Sequence, residues 1–139
     1  MKVMVLVHPG NPTDYEQGAM PEPELLAAMG KFNEALVEAG VMIGGEGLKP
    51  TTHGARIAFS AKGEKQFSEG PFTEITEIVG GFWMWHVNSM AEAIEWANRA
   101  PMENGATLEL RPVFEPEDFG PDVAEKERAL MDKLEQQQR

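Results

Sequence analysis

The chain has 139 residues, the usual length of one globular domain, and 42% of them are hydrophobic while 25% are charged, which excludes a wholly disordered protein. Its 23 acidic and 12 basic residues give a formal net charge of -11, so binding to nucleic-acid phosphates or to anionic lipid is unfavourable. The absence of cysteine excludes disulfides, thiolate metal sites, iron–sulfur clusters and cysteine nucleophiles. We therefore expect neither nucleic acid nor a membrane as a partner.

The first apolar run, residues 2–8, is rich in valine and ends before Pro9-Gly10-Asn11-Pro12, a sequence that favours a loop. The run is too short to span a membrane, and no small-residue cleavage site of a secretory signal follows it. It predicts the first strand, and a cytoplasmic location is expected. Residues 9–21 are predicted to form a polar loop.

The stretch from Pro21 to Gly40 has the periodicity of an amphipathic helix. Pro23 suits the first turn, where a missing N–H costs nothing, and Gly40 suits a left-handed C-terminal position. The apolar residues of its predicted inner face are Leu25, Met29, Phe32 and Leu36, with Leu26 and Val37 widening the stripe.

A short extended piece at residues 41–43 runs into Gly44-Gly45-Glu46-Gly47. Three glycines in four positions indicate positive φ angles or a close approach of another backbone. Neither phosphate-binding glycine pattern is present, so the sequence favours a structural bend that exposes Glu46.

Alternation predicts a strand over residues 55–59, and residues 65–68 are predicted to pair back with it as a hairpin. Lys62-Gly63-Glu64 supplies the turn. Pro71 ends the pairing, because proline cannot donate a hydrogen bond to a ladder.

The most apolar segment, residues 81–88, predicts a buried strand. Ser89 and Glu92 form a capping box at the start of the next helix, which Pro101 ends. The predicted inner face of that helix contains Met90, Ala93, Ile94 and Ala97. Residues 107–111 alternate as a last strand. Residues 122–137 are predicted to be helical, with a thin apolar edge of Val123, Leu130 and Leu134.

Without the hairpin, the order of elements is strand, helix, strand, strand, helix, strand, which is the ferredoxin-like split βαβ pattern of an α+β fold. In that topology the first and third strands are central. Both are apolar on both faces: Val3, Val5 and Val7 alternate with Met4 and Leu6, and Trp83, Trp85 and Val87 alternate with Phe82 and Met84.

Two helices can cover only one face of such a sheet, so the opposite apolar face needs another cover. The same face of a second copy is the favoured cover, which predicts a homodimer with a sheet-on-sheet core. The alternative is the C-terminal helix folding back within one chain, although that helix has few apolar positions.

Several ordered blocks of this sequence resemble the YCII-related family. These blocks are residues 40–50, 69–77, 80–82, 92–97 and 111–113. Residues 69–77 fit the branch whose signature reads D-G-P-F-A-E-T-K-E. This sequence departs from that signature at Glu69, Thr73, Ile75 and Thr76. The resemblance covers residues 1–114, and residues 115–139 form a C-terminal extension.

The resemblance implies a dimeric α+β barrel, in agreement with the patterning. For function it implies a relationship to a dehydrochlorinase of a chlorinated hydroquinone, and a fold similar to muconolactone isomerases and cofactor-free monooxygenases. Most members of the branch have no assigned reaction, and some occur beside sigma-factor-like regulators. The enzymatic branch uses a His–Asp pair, which this sequence does not place.

His8 and His86 each end a predicted central strand, in phase with the apolar residues of the uncovered face. On a dimer face they could approach a shared cleft, where a histidine beside a carboxylate can act as a general base near neutral pH. A hydrogen-bonded histidine at a strand end is the alternative, and it is the commoner situation. His53 belongs to a surface turn.

Two of the family blocks, residues 40–50 and 69–77, contain four carboxylates: Glu46, Glu69, Glu74 and Glu77. We call these blocks the two motif loops, and the second of them the signature loop. Crowded carboxylates raise one another's pKa, which suits proton transfer, and Glu74 is the candidate for that role. The other three are candidates for substrate binding, although Glu69 is also suited to capping loop N–H groups. Arg111 is the candidate for holding a substrate carboxylate or phenolate, or for pairing with a glutamate.

The sequence has no H-x-H, HExxH or facial-triad spacing, so we expect neither a metal site nor a cofactor. Ligation of haem by a single histidine is known in related barrels, but no motif indicates it here.

The sequence leaves two functions open. One is cofactor-free lyase-like or isomerase-like chemistry on a small cyclic or aromatic acid. The other is a non-catalytic dimeric ligand-binding or accessory module associated with transcriptional regulation.

Overall fold

A computed structural model describes residues 1–72, 74 and 77–138, so Thr73, Ile75 and Thr76 of the signature loop lie outside the described residues. Short 3₁₀ turns cover Thr51–His53 and Pro116–Phe119. The strands and longer helices are β1 (Lys2–His8), α1 (Pro12–Glu16), α2 (Pro23–Glu38), β2 (Met42–Gly47), β3 (Ala55–Phe59), β4 (Lys65–Glu69), β5 (Gly81–His86), α3 (Met90–Asn98), β6 (Thr107–Pro112) and α4 (Pro121–Gln137).

Four strands form the main sheet in the order β2-β5-β1-β6, and every neighbouring pair is antiparallel. This order confirms the predicted α+β, ferredoxin-like fold, with the first and third core strands in the middle. Strands β3 and β4 pair only with each other, as the predicted hairpin, and Gly63 closes their turn with a φ of +83°.

Helices α2 and α3 cover one face of the main sheet. Val3, Val5 and Trp85 are buried on that face beneath Phe32 and Leu36. The ring of Phe32 meets the ring of Trp85 edge to face, with the centroids 6.3 Å apart. Burial of these large side chains supplies most of the hydrophobic stabilisation of the monomer.

The apolar stripes of the two helices are narrower than the sequence predicts. Leu26, Val37 and Ile94, which were expected on inner faces, are each more than half exposed. The two helices lie side by side on a small sheet, and each buries only the residues that point straight at the strands. On α3, Trp96 rather than Ile94 reaches the core, with its ring centroid 6.4 Å from that of Phe32.

The region predicted as a polar loop at residues 9–21 contains the short helix α1. Pro12 lies in its first turn, and the side chain of Asn11 caps it by accepting a hydrogen bond from the Asp14 N–H at 3.0 Å. The prediction was wrong here because a five-residue helix is too short to show any apolar periodicity.

The glycine-rich stretch is the strand β2 rather than a bend. Its three glycines have no positive φ, but a Cβ on Gly45 would lie 3.0 Å from the carbonyl oxygen of Phe82. Close backbone approach, the second of the two expected reasons, therefore explains Gly45. The pairing with β5 is irregular between Met42 and Gly44.

The cap of α3 is a variant of the predicted capping box. The Ser89 hydroxyl accepts from the Glu92 N–H at 3.1 Å, as expected. The Glu92 carboxylate reaches past the cap and accepts from the Asn88 N–H at 2.8 Å. Two backbone donors at the start of the helix are thus satisfied.

Helix α4 packs against the turn Pro116–Phe119, and only Ala124 of the helix is buried. The predicted apolar edge, Val123, Leu130 and Leu134, stays exposed. No helix in the part of the chain that the structure describes is long and apolar enough to cross a membrane.

The narrow stripe of α2 can be tested by two matched truncations. Leu36→Ala should lower the free energy of unfolding by about 2–5 kcal/mol, because Leu36 is 0% exposed and the change leaves a cavity. Leu26→Ala, in the same helix but at a residue that is 51% exposed, should change it by less than about 0.5 kcal/mol. Urea unfolding of both variants checks this, and equal losses would contradict the burial pattern.

Candidate functional site

The face of the main sheet opposite α2 and α3 carries four apolar side chains at its centre. We call this surface the open face. Its centre comprises Met4, Leu6, Phe82 and Met84, all partly exposed. The neighbouring strands add three charged residues to the same face: Glu46, Glu109 and Arg111. The open face therefore offers an apolar floor with a charged margin.

His8 ends β1 at the edge of this floor, and both of its ring nitrogens face acceptors. Nδ1 lies 3.1 Å from the carbonyl oxygen of Ile78, and Nε2 lies 3.2 Å from Oε1 of Glu109. A carbonyl and a carboxylate can only accept, so both contacts are hydrogen bonds only when both nitrogens carry a proton.

A wide, open depression of about 620 Å³ adjoins His8. Its lining residues are His8, Glu77, Thr107, Leu108 and Glu109. The depression joins the end of the open face to the last part of the signature loop. It is the place where a histidine and a carboxylate meet a surface large enough for a small molecule.

His86, the other candidate histidine, lies at the opposite end of the sheet. It pairs with Lys2 at the start of β1, whereas His8 ends that strand. Six residues of extended strand separate these two levels by about 20 Å. Because β1 and β5 are antiparallel, one chain does not bring the two histidines together.

The four candidate glutamates do not form one cluster. Glu77 lines the depression beside His8, and Glu46 lies on the open face opposite Phe82. Glu69 ends β4, in the separate hairpin. Glu74 is exposed and forms an ion pair with Arg56, whose Nη1 lies 2.9 Å from its Oε2.

The expectation that crowding would raise the pKa of Glu74 is wrong. The hydrogen bond from Arg56 is the main cause of a pKa below the ordinary value of a glutamate, and backbone hydrogen bonding and the charge of Arg56 add to it. Arg56 also lies over the ring of Phe72, 3.9 Å from its centroid. Glu74 is therefore an ionised carboxylate that the ion pair with Arg56 keeps in place.

Arg111 lies on the open face opposite Met4, and its side chain is 71% exposed. Its Nε is 4.0 Å from Oε2 of Glu109. The same carboxylate thus faces His8 through one oxygen and Arg111 through the other. Glu109 was not among the candidate site residues, although strand alternation together with the strand order places it beside His8.

Two residues of α1, Tyr15 and Glu16, connect this helix to the chain around the two motif loops. The Glu16 carboxylate accepts hydrogen bonds from the N–H of Thr51 at 2.9 Å and from its hydroxyl. The hydroxyl of Thr51 in turn accepts from the Phe72 N–H at 3.1 Å. The Tyr15 hydroxyl donates to the carbonyl of Leu48, and burial together with the charge of Glu16 raises the pKa of Tyr15. These contacts tie α1 to the two motif loops.

Within residues 1–72, 74 and 77–138, no group of three or more histidine, aspartate or glutamate side chains is arranged to hold a metal ion.

A family model described as the YCII-related domain matches residues 1–117. No curated protein matches the chain. The match spans the whole main sheet, α2, α3 and the hairpin, and it stops before α4 begins.

The contact between the signature loop and Thr51 predicts that residue 70 must be glycine. A Cβ on Gly70 would lie 1.7 Å from the carbonyl oxygen of Thr51, so the backbone must shift. Gly70→Ala should lower the free energy of unfolding by about 1–3 kcal/mol. Gly47→Ala is the matched control, since nothing lies within 4 Å of its added Cβ. Thermal unfolding of both variants measures the difference, and an unperturbed Gly70→Ala protein would contradict the contact.

The ion pair of Glu74 predicts a change in its titration. Arg56→Gln should raise the pKa of Glu74 toward its ordinary value, because the positively charged donor is removed. In the wild type the folded-state pKa is the lower one, so the pair stabilises the fold above the unfolded-state pKa. This stabilisation is lost as the pH falls through the folded-state pKa. Carboxyl chemical shifts followed by NMR against pH measure the change, and identical titrations in both proteins would contradict the pair.

Proposed function

We propose that this chain, which belongs to the YCII-related domain family, binds a small cyclic or aromatic acid on the open face, and that His8 exchanges a proton with it without a cofactor. The observation that carries the proposal is the imidazole of His8, fixed between Ile78 and Glu109 at the side of the depression. The proposed chemistry is of the lyase or isomerase kind, in which a proton moves and no electron is transferred.

The composition of the open face suits such a ligand. Met4 and Met84 offer flexible, polarisable contacts to a ring, and Phe82 offers an aromatic one. Arg111 lies on this face, and its planar guanidinium matches a carboxylate or a phenolate. An acid with a flat apolar body therefore fits both parts of the surface.

His8 is oriented for proton transfer by the hydrogen bond from Nδ1–H to the carbonyl of Ile78. That bond leaves Nε2 directed at Glu109 and the depression. The imidazolium is a general acid through Nε2–H, and once it has lost that proton the same nitrogen is a base. The Glu109 carboxylate, 3.2 Å from Nε2, helps to orient the ring.

We also infer that a second copy of the chain covers the open face. Leaving its four apolar side chains in water forfeits about 25 cal/mol for each Å² that could be buried. Helix α4, the alternative cover, packs on the turn before it and leaves Leu130 and Leu134 exposed. A symmetric dimer buries the face of both copies at once and encloses the ligand between them.

A second candidate function is a non-catalytic ligand-binding or accessory module, associated with transcriptional regulation. The observation that favours it is that both nitrogens of His8 already have protein partners, and that the depression is wide and open. In this case His8 is a structural side chain whose contacts hold the end of β1. Such a module binds the same class of acid without changing it.

Binding is tested by NMR titration with benzoate, salicylate and cyclohexanecarboxylate, using benzamide as the uncharged comparison. Arg111→Gln should weaken binding of the acids by about tenfold or more, because a hydrogen-bonded charge is lost. Arg99→Gln is the matched control, since Arg99 lies over the ring of Trp96 at the end of α3, away from the open face. Equal affinities of wild type and Arg111→Gln would contradict the proposed site.

Proton transfer is tested in D₂O with a cyclic acid that binds and that carries an acidic C–H beside a ketone carbonyl, because the simple acids above have no such proton. Wild type should exchange a carbon-bound proton of the ligand for deuterium, and His8→Gln should bind the ligand but lose the exchange. Mass spectrometry of the recovered ligand measures it. Binding without exchange in the wild type would support the module and contradict the catalytic role of His8.

A further inference from the structure

The charges of the open face are divided along the direction of the strands. We call a row of paired residues across the strands a level. The carboxylates Glu109 and Glu46 both lie at the level of Leu6, because Glu109 is opposite Leu6 on β6 and Glu46 is opposite Phe82 on β2. Because β2 and β6 are the two edges of the sheet, this level has a carboxylate at each edge. His8 lies just beyond it.

The basic residues lie toward the other end. Arg111 is opposite Met4, one pleat nearer the start of β1 than Glu109. Lys2 and His86 are paired with each other one pleat further on. The carboxylates therefore flank the Leu6 half of the apolar centre, and Arg111 flanks the Met4 half. The midpoint of the centre falls between the levels of Met4 and Leu6.

Two copies can meet face to face about a two-fold axis through that midpoint in two aligned ways. When the axis runs along the strands, each level faces the same level of the other copy, and Glu109 then lies against the partner's Glu46. When the axis runs across the strands, facing strands run in opposite directions, and Arg111 then lies against the partner's Glu109. At the position of Glu109, the first arrangement therefore opposes two carboxylates, whereas the second opposes a carboxylate and a guanidinium.

We propose that two copies pack their open faces with the facing strands in opposite directions, so that Arg111 of each copy lies beside the partner's Glu109. The inference rests on the proposed dimer and specifies its geometry. Since Glu109 also faces His8, the partner's Arg111 joins the His8 site. Each dimer then has two equivalent sites for an organic acid, and each site is built from both chains.

The exposed apolar side chains of the hairpin and of α4, which lie at opposite ends of the main sheet, agree with this geometry. The chain leaves the main sheet for the hairpin at the His8 end, because Gly47 ends β2 opposite Gly81, which also pairs with Val7. One face of the hairpin carries the exposed side chains Ile57, Phe59 and Phe67. The chain leaves β6 for α4 at the opposite end, where the Val113 N–H donates to the carbonyl of Lys2. Reversed packing brings the hairpin end of one copy to the α4 end of the other.

Cross-linking between engineered cysteines tests the orientation, because the natural chain has no cysteine. Two differently tagged copies are co-expressed in two combinations: Arg111→Cys with Glu109→Cys, and Glu109→Cys with Glu46→Cys. Packed sheets are about 10 Å apart, so a short bismaleimide joins thiols that face each other. The first combination should give a several-fold higher yield of cross-linked pairs than the second.

Analytical ultracentrifugation of the same proteins accompanies the cross-linking. If the proteins are dimers, then equal yields, a higher yield from the second combination or no cross-link in either overturns the proposed orientation. A monomeric wild type overturns the dimer itself and this inference with it. Binding of benzoate to that monomer, weakened by Arg111→Gln but not by Arg99→Gln, would show that the acid site survives without a partner.

Discussion

β1 and β5 lie side by side in the middle of the sheet, and each has large apolar side chains on both of its faces. Helices α2 and α3 cover only one of these faces, and α4 packs on the turn that precedes it. The buried layer under Phe32 and Leu36 and the partly exposed layer around Leu6 and Phe82 are two consequences of the same strand pair. The monomer is stabilised on one side, and the apolar side chains on the other side stay partly exposed.

The main sheet could be predicted because every core strand shows its period in the sequence. Alternation gave the faces of β1 and β5, and the order of strands and helices gave their neighbours. The helices were less predictable, since periodicity shows that a stripe exists but not how wide a small sheet allows it to be. Val37 and Ile94 are exposed for that reason, and Trp96 takes the place expected of Ile94.

The site was only partly predictable. His8 was a candidate because it ends an apolar strand, but its partner Glu109 is 101 residues away along the chain and depends on the register of β1 against β6. The contact of Glu16 with Thr51 spans 35 residues, and no local pattern indicates it. The hydrogen bond from Arg56 lowers the pKa of Glu74, opposite to the direction expected from crowded carboxylates, and no local pattern in the sequence indicates that Arg56 lies beside it.

All three tryptophans of the chain belong to the helix-covered layer. Trp83 and Trp85 are buried there, and the indole N–H of Trp83 donates to the side chain of Asn33 at 2.8 Å. Trp96 packs on the same layer from α3. Intrinsic fluorescence therefore monitors the integrity of that layer, and a molecule settling on the other side of the sheet leaves the emission largely unchanged. For this fold, a change in indole emission during a titration signals loosening of the helices rather than occupancy.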